Sequence, residues 1–448
     1  MKTLSEIAAE LQGYDPQAMT AEGVLDFLSR LVTPVQEVLE VPLMQALGRV
    51  LAVDVVSPVD VPPHDNSAMD GYAFAGVQLT PDAALVLQVV GTALAGRAWQ
   101  GSVQPGQCVK IMTGAVMPTG LDTVVPQEFV SLHKPDGTEL ITIPPAMLQT
   151  GDNRRLRGED LMQGRAALLK GQRVTPARLG LAASLGLGTL QVWRPVRVAY
   201  FSTGDEILSL GDMPREGAVY DSNRYTVFGM LSRLGCQVID LGVVRDDPAL
   251  LQAAFNTAAA QADAIITSGG VSVGEADYTK AMMKKLGDVD FWRIAMRPGR
   301  PMAVGRLSSA QPAAGADQAQ GGSPSDEGSA HSALLFGLPG NPVAVMVTFL
   351  AFVRPALLQM MGAAAEPDVL LKARSTQAIR KKPGRTEYQR GRVSTAPDGR
   401  LQVETTGSQG SGVLSSMAEA NGLIVLHHGQ GNVAAGDDVD VLMFDGAL

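Results

Sequence analysis

The sequence predicts a multidomain α/β protein. A doubly wound, mostly parallel sheet domain is flanked by small, barrel-like β domains and by a mixed helical and extended N-terminal domain. The chain has 448 residues, enough for two to four domains. Strand-like and helix-like runs alternate from residue 196, and β-rich runs between turns lie on both sides of that region. The predicted domains are 1–55 together with 151–195, 56–150, 196–362 and 363–448.

The first 195 residues predict helices around a small β domain. Residues 20–32 place apolar side chains at helical spacing, and residues 42–51 resemble a second short helix. From about 55 to 150, short β-rich runs alternate with Gly, Pro and Asp turns, which predicts a small antiparallel domain. A further helix is predicted at 175–185.

From residue 196 the chain follows a rhythm of strand, loop and helix. The apolar run "VRVAYFS" precedes the helical stretch "DSNRYTVFGMLSRLG", which an Asp/Ser/Asn cap opens. The last helix of this region begins at Pro342, which suits a first turn. Repeated β-α units imply a parallel sheet with helices on both faces, whose ligands bind beyond the carboxyl ends of the strands. The segments "STGDE", "SGGVSVGE" and "LPGNP" fall there.

Two further segments complete the organisation. Residues 308–332 contain no large apolar side chain, which predicts a disordered surface insertion between two core strands. From about 366 to 448 the β-like runs return and predict a second small β domain.

Composition and charge narrow the function classes. With 36 basic and 45 acidic residues the net charge is −9, which disfavours a nucleic-acid partner. No apolar run approaches the roughly 20 residues that span a bilayer, and the N-terminus does not resemble a secretory signal, so no membrane partner is expected. Cys108 and Cys236 lack metal-ligand spacing, and we expect free thiols in a cytoplasmic protein.

Three glycine-bearing loops at neighbouring strand ends indicate an anion cradle. Glycine lets backbone amides approach a ligand without a side chain in the way, and helix N-termini favour phosphate. A single loop of this kind is often only a turn, but three at one sheet edge favour a binding function. The glycines are Gly204, Gly269, Gly270, Gly274 and Gly340.

Carboxylates crowd the same predicted edge. Helix capping alone explains some of them, since Asp246, Asp247 and Asp277 stand near predicted helix starts. Crowded beside a phosphate cradle, however, the acids would repel the ligand unless a cation compensates, and Mg²⁺ binds a few carboxylates, waters and phosphate oxygens. We therefore expect Mg²⁺ at this edge, where the other acids are Asp205, Glu206 and Glu275.

Arginine clusters stand out in an acidic chain. Arg293, Arg297 and Arg300 lie on a Pro-Gly frame, and guanidinium groups match tetrahedral oxyanions with paired hydrogen bonds. We expect anion binding there. For the groups around 154–157 and 381–385, anion binding and ordinary solvated charge remain equally open. No Ser-His-acid or Cys/His pattern supports acyl chemistry or a zinc site.

Ten motifs in a fixed order resemble those of the molybdopterin molybdenumtransferase family, the bacterial MoeA type, to which the E domain of gephyrin is related. The resemblance covers about residues 20 to 445. The motifs are "DNSAMDGYA" (65–73), "IMTGA" (111–115), "RRLRGED" (154–160), "STGDE" (202–206), "YDSN" (220–223), "RDDP" (245–248), "SGGVSVGEADYT" (268–279), "RPGRP" (297–301), "LPGNPVA" (338–344) and "PGRTEYQRG" (383–391).

The resemblance implies an elongated homodimer of four-domain subunits and the last step of molybdenum cofactor assembly. Adenylylated molybdopterin and molybdate would give the molybdenum cofactor and AMP in an Mg²⁺-dependent reaction. The molybdopterin adenylyltransferase is the partner protein that the resemblance implies. The physical interpretation agrees, because the substrate has a pyrophosphate for the glycines and molybdate is a tetrahedral dianion for the arginines.

The family's functional positions transfer onto this sequence as four groups. The expected catalytic residues are Asp70, Asp160, Glu206, Asp246 and Asp277, of which Asp70 and Asp160, with Thr113, come from the neighbouring subunit. The expected metal ligands are Glu206, Asp246, Glu275 and Asp277. The expected cofactor-binding residues are Thr113, Gly204, Asp205, Ser268, Gly269, Gly270, Ser272, Gly274, Pro339, Gly340, Asn341 and Pro342. The expected molybdate residues are Arg293, Arg297, Arg300, Arg385, Ser408 and Ser411.

One departure and two alternatives accompany the resemblance. Positions 293, 297 and 300 are often lysine in relatives but arginine here, so the charge survives while the geometry of the molybdate contacts changes. An adenylyltransferase shares only the α/β domain, and rapid adenylylation of molybdopterin by ATP without molybdate would favour it. A non-catalytic scaffold of the gephyrin type is the other alternative, and it would keep its partner binding after Asp277→Asn.

Overall fold

The computed structural model describes residues 2–271, 278–308 and 332–444. Their contacts divide the chain into two compact units. The first unit comprises Met1–Leu39, Gly48–Ala52 and Gln191–Leu448, and the second comprises Glu40–Leu47 and Val53–Leu190. The division into four domains stays a prediction.

Two capped helices open the first unit. Helix α1 is Leu4–Glu10, α2 is Ala21–Leu31, and strand β1, Val38–Pro42, follows. Thr20 accepts a hydrogen bond from the Gly23 amide at 3.0 Å and caps α2, which confirms the helix predicted at 20–32. The helix predicted at 42–51 is wrong. Only a 3₁₀ turn, Leu43–Gln45, forms there, because Gly48 takes a φ of +76° that no helix continues.

The second unit is built on a six-stranded sheet of order β7-β4-β6-β5-β9-β8. Successive residues of β4 face opposite cores, because side chains alternate across a strand: Ala73 packs on one side, Tyr72 and Phe74 on the other. The elements are β2 (Val55–Val56), β3 (Asn66–Ser67), β4 (Gly71–Phe74), β5 (Leu85–Ala93), β6 (Gln107–Ile111), β7 (Thr123–Pro126), β8 (Ser131–His133), β9 (Leu140–Ile143), β10 (Arg154–Arg155), β11 (Ala166–Leu168) and α3 (Pro176–Ser184). Strand β12 (Thr189–Trp193) follows, and its residues from Gln191 onward belong to the first unit.

The sequence predicted an antiparallel sheet in the second unit, but the observed sheet is not purely antiparallel. Strands β5 and β6 pair in parallel, with Gln88 opposite Gln107. Residues 94–106 join them, and a parallel pair needs a crossover of about that length. Helix α3 confirms the helix predicted at 175–185. The six-stranded sheet of the second unit therefore contains one crossover that turn signals do not reveal.

The remainder of the first unit begins with a mixed sheet of order β16-β13-β17-β21-β20-β18, in which the first four strands are parallel and the last two are antiparallel to their neighbours. This confirms the predicted multidomain α/β class with a mostly parallel sheet. The elements are β13 (Arg197–Thr203), β14 (Ile207–Leu208), β15 (Val219–Tyr220), α4 (Ser222–Leu234), β16 (Gln237–Val244), α5 (Pro248–Gln261), β17 (Ala264–Ser268), α6 (Tyr278–Leu286), β18 (Gly287–Arg293), β19 (Met296–Arg297), β20 (Pro301–Ser308), β21 (Ser332–Leu338), α7 (Pro342–Thr348) and α8 (Arg354–Met360).

Helices cover both faces of this sheet. On β13, Val198 and Tyr200 join the core that α2, α4, α7 and α8 cover, while Ala199 and Phe201 join the core that α5 and α6 cover. Of the insertion predicted at 308–332, Ser308 ends β20 and Ser332 begins β21, and the residues between them lie outside the described part.

A π-helical turn, Phe349–Val353, joins α7 and α8 into one continuous helix, Pro342–Met360. By length and composition its 19 residues could cross a membrane, which corrects the expectation that no apolar run approaches that length. Of its most apolar 18-residue window, however, 67% is buried inside the protein, as in the core helix of a globular domain.

The C-terminal strands close into a small barrel, as the barrel-like prediction required. Their order is β19-β23-β24-β22-β26-β25, and a further pairing of β23 with β25 closes the ring. The elements are β22 (Leu370–Ser375), β23 (Thr386–Thr395), β24 (Leu401–Thr405), α9 (Ser415–Glu419), β25 (Gly422–Leu426) and β26 (Asp438–Met443). Strand β19, from the arginine-bearing turn, pairs in parallel with β23 and ties the α/β sheet domain to the barrel.

Candidate functional site

Three loops meet where β13, β17 and β21 end. Gly269 has a φ of +93°, and an added Cβ would lie 2.6 Å from the Thr203 carbonyl oxygen, so a side chain does not fit. The Gly269 amide donates to the Leu338 carbonyl at 3.1 Å. An added Cβ on Gly340 would lie 4.0 Å from Gly269 Cα. The structure therefore brings Gly204, Gly269, Gly270 and Gly340 to one edge, as predicted, and we call these loops the cradle.

A buried hydroxyl network supports the cradle from below. The Tyr200 hydroxyl is 2.8 Å from both Ser202 Oγ and Ser268 Oγ. Burial, and then the nearby Asp221 carboxylate, raises the pKa of Tyr200 well above its usual range, so the phenol stays protonated and can donate. Ser268, predicted to bind the cofactor, uses its hydroxyl within this network.

Asn223 joins the loops and was missed as a site residue. Its amide nitrogen donates to the Gly340 carbonyl at 2.7 Å and to Ser268 Oγ at 3.4 Å. Its Oδ1 is buried and has no partner among the described residues, and the same holds for Oδ2 of Asp221 and Oγ1 of Thr203. Unpaired buried oxygens each cost about 1–3 kcal/mol, which a ligand with N–H or O–H donors would recover. The motif "YDSN" was the available signal.

Some of the acids predicted at this edge lie close to one another and to the cradle. The Asp246 amide donates to Asp205 Oδ1 at 3.4 Å. The Glu206 carboxylate folds back over Gly204, where an added Cβ would meet Glu206 Oε2 at 2.5 Å. Asp247 caps α5 by accepting from the Ala249 and Leu250 amides, so the capping interpretation holds for that residue.

The described acids offer carboxylate oxygens, which are the kind of ligand atom that Mg²⁺ binds. Exposed carboxylates with space for waters are what Mg²⁺ prefers, and Glu206 and Asp246 are both exposed. Within residues 2–271, 278–308 and 332–444, no three Asp, Glu, His or Cys side chains are grouped to hold a metal. The other residues predicted for this site, Ser272, Gly274, Glu275 and Asp277, lie outside the described residues.

The loop Pro339–Pro342 links the cradle to the barrel. Asn341 precedes α7 without a side-chain cap bond, and Pro342 is its first residue. The Val343 amide donates to the Ser411 carbonyl at 3.1 Å, so the loop that carries Ser408 and Ser411 reaches the start of α7. The predicted cradle and the predicted molybdate loop are therefore in contact.

The predicted molybdate arginines do not form one group. Arg385 donates through Nε and Nη2 to Glu387 Oε1, both at 2.7 Å, and the Glu387 side chain is only 3% exposed. This ion pair compensates the charge of Arg385. All three arginines of the turn are exposed, and of these Arg297 lies on β19 opposite Glu387.

A cavity of about 190 Å³ lies between β19 and the barrel. Of the predicted molybdate residues its lining includes Arg297, and it adds three residues that the sequence did not single out: Arg380, Arg390 and Gln409. One water needs about 10–15 Å³, so a tetrahedral oxyanion fits there with several waters. Because it combines several arginines with one paired glutamate, the cavity suits an anion.

The second unit carries a separate predicted pair. Thr113 donates to Asp70 Oδ1 through its amide and its hydroxyl, both at 2.7 Å. These two bonds, the backbone one first, hold the pKa of the Asp70 carboxyl below its usual range. Asp160 is exposed, and its amide donates to the Val61 carbonyl at 3.0 Å. Asp70 is therefore an ionised, oriented carboxylate.

Three family models match successive parts of the chain. They are the MoeA N-terminal region (domain I and II) over residues 19–186, the probable molybdopterin binding domain over 199–359, and the MoeA C-terminal region (domain IV) over 372–444. Together they follow the order of the motifs.

Relatives and solved structures agree. A molybdopterin molybdenumtransferase of Haemophilus influenzae is 39% identical over 91% of this chain and 94% of its own. Molybdopterin molybdenumtransferase 2 of Mycobacterium tuberculosis is 36% identical over 90% and 94%. The crystal structure of a molybdopterin biosynthesis MoeA protein from Pyrococcus horikosii is 27% identical, has a TM-score of 0.70, and covers 96% of this chain and 99% of that one.

Proposed function

The chain belongs to the molybdopterin molybdenumtransferase family of molybdenum cofactor biosynthesis, and from that membership we propose that it transfers molybdenum from molybdate into adenylylated molybdopterin and releases AMP, in an Mg²⁺-dependent reaction. The family assigns the class of enzyme. The adenylylated substrate, the release of AMP and the metal are the proposal.

One observation carries the proposal: the cradle and the anion cavity are joined inside a single compact unit. The contact of Val343 with Ser411, at 3.1 Å, connects the loop at the end of β21 to the loop that borders the cavity. A substrate with a pyrophosphate needs backbone amides without side chains, and molybdate needs cations. Holding both next to each other converts a bimolecular encounter into a positioned one.

Each group of residues would have a separate role in the reaction. Gly269 and Gly340 let the backbones of the strand-end loops approach one another closely and so build the cradle proposed for the phosphates. Glu206 and Asp246, together with the sequence-predicted ligands Glu275 and Asp277, would hold Mg²⁺, which supplies charge neutralisation on the phosphoryl oxygens when it is bound. Pro339 and Pro342 restrict the backbone of the loop that faces both substrates.

Further parts of the proposal concern assembly and place. Asp70, Thr113 and Asp160 would complete the site of a neighbouring subunit in a homodimer, and the ionised state of Asp70 supports a role toward cations or N–H groups. Sedimentation equilibrium at twice the chain mass of 46.9 kDa would support the dimer, and a monomer would refute it. A cytoplasmic location and docking of the molybdopterin adenylyltransferase, which makes the substrate, complete the proposal.

The test mixes purified protein with adenylylated molybdopterin, molybdate and Mg²⁺ and follows AMP by chromatography. We expect AMP release that requires molybdate and stops with a chelator. Glu206→Gln removes one charge from the acidic edge and should lower the rate by two orders of magnitude or more, about 2.7 kcal/mol of transition-state stabilisation. Wild-type turnover in that variant would contradict the metal assignment, and adenylylation of molybdopterin by ATP alone would contradict the choice of reaction.

A further inference from the structure

Arg390 is the most deeply buried cation at the anion cavity. It lies on β23, is 1% exposed and lines the cavity together with Arg297. Burial, and then the positive charge of Arg297, lowers its pKa to about 10. The group nevertheless stays charged at neutral pH, so the fold retains a guanidinium where it is costly to place one.

The bonds of Arg390 converge on one short turn. Its Nη2 donates to the Ser408 carbonyl at 2.8 Å and to the Gly410 carbonyl at 2.9 Å, and its Nη1 donates to the Gln409 carbonyl at 3.2 Å. Its Nε donates to Ser416 Oγ at 3.0 Å. All four acceptors are neutral oxygens, in contrast to Arg385, which is paired with Glu387.

The backbone of the same residue also binds the turn. The Arg390 amide donates to Gln409 Oε1 at 2.8 Å, and Gln409 Nε2 donates to the Arg390 carbonyl at 3.2 Å. Gln409 lines the cavity, and Ser411, two residues later, contacts the start of α7. The turn 408–410 thus forms a wall of the cavity and continues into the contact with the cradle.

We propose that Arg390 is a positioning residue for the anion site: its guanidinium holds three consecutive carbonyls of the turn 408–410, and its charge, uncompensated by any of its four acceptors, adds to that of Arg297 in the cavity. This inference rests on the proposed function, since it names a residue that shapes the molybdate site. Lysine cannot replace the arginine, because an ammonium is a point donor that does not fork across three carbonyls.

A purely structural role makes a different prediction. If Arg390 only provides hydrogen bonds to buried oxygens of the barrel, a substitution lowers the melting temperature. It then changes the binding of both substrates alike or not at all. A positioning role toward the oxyanion weakens molybdate binding selectively. The ratio of the two substrate affinities therefore separates the two roles.

The experiment titrates the full-length protein with sodium molybdate and, separately, with adenylylated molybdopterin by calorimetry. In Arg390→Lys we expect the Kd for molybdate to rise at least tenfold and the Kd for adenylylated molybdopterin to stay within twofold. Hydrogen exchange should accelerate at residues 408–412. Arg392→Lys, an exposed arginine on the same strand, is the matched control and should change neither Kd.

Every outcome decides something. A folded Arg390→Lys variant whose Kd for molybdate stays within twofold of wild type overturns the inference, and so does an equal loss for both substrates. Should this variant not fold, Ser416→Ala removes one of the four acceptors and keeps the arginine. We then expect a Kd for molybdate about threefold higher, and an unchanged value overturns the inference. A wild-type protein that does not bind molybdate overturns the proposed function itself.

Discussion

Gly269→Ala should both destabilise the fold and weaken the binding of adenylylated molybdopterin at the cradle. A non-glycine residue in left-handed backbone costs about 1–2 kcal/mol, and Gly269 has a φ of +93°. The new Cβ would also lie 2.6 Å from the Thr203 carbonyl oxygen and 2.9 Å from its hydroxyl. Because backbone cannot move aside easily, this overpacking adds about 1–3 kcal/mol. We expect a total loss of about 2–5 kcal/mol.

Gly211→Ala is the matched control. Gly211 lies in the same unit with a φ of +98°, but nothing lies within 4 Å of an added Cβ there. Both substitutions reduce the entropy of the unfolded chain equally, so the difference between them isolates the clash. Urea unfolding of both variants should differ by about 1–3 kcal/mol. Calorimetry should find adenylylated molybdopterin binding weakened tenfold or more in Gly269→Ala alone. Losses that agree within about 0.5 kcal/mol, with equal substrate binding, would refute the reasoning.

Two further predictions concern charged groups. Thr113→Val removes the hydroxyl donor but keeps the hydrogen bond from the backbone amide, so the pKa of Asp70 should rise toward its usual value without reaching it. NMR titration of the Asp70 carboxyl measures this shift. An unchanged pKa would contradict the role of the Thr113 hydroxyl. Asp263→Asn should destabilise the protein by about 1–3 kcal/mol at pH 7, because it removes the charge-assisted bonds of a buried carboxylate to the half-buried Arg194, which then keeps only its ion pair with Glu37. Burial raises the pKa of Asp263, but the bonds from Arg194 and from the Arg197 amide together bring it below its usual value. Its stabilisation is therefore present above the unfolded pKa of about 3.9 and lost as pH falls through the folded value. Urea unfolding should show the gap between wild type and variant narrowing on acidification, and a constant gap would contradict the ion pair.

Local sequence signals were sufficient for the order of elements and for much of the cradle. Caps such as Thr20 and Asp247, and the alternation of apolar residues along β13, act through neighbours a few residues away. Glycines at strand ends are likewise visible in the sequence, because tolerance of a positive φ and of close backbone approach is a property of the residue itself. The site roles carried over from the family, including those at Asp277 and Glu275, remain predictions.

Tertiary packing decided what the charged side chains do. In "RTEYQRG", nothing local distinguishes Arg385, which pairs with Glu387, from Arg390, which is buried against a turn some twenty residues further along the chain. The parallel pairing of β5 with β6 and the unpaired oxygen of Asn223 were equally invisible.

The sequence by itself thus determined the family, the alternation of strands and helices, and the places where backbone must approach a ligand, because these depend on residue type and spacing. Only the tertiary structure decided that Arg385 is paired with a carboxylate, whereas Arg390 has neutral acceptors and an uncompensated charge beside the cavity. A guanidinium's partner is chosen by long-range packing, and its electrostatic effect depends on burial that no local pattern encodes.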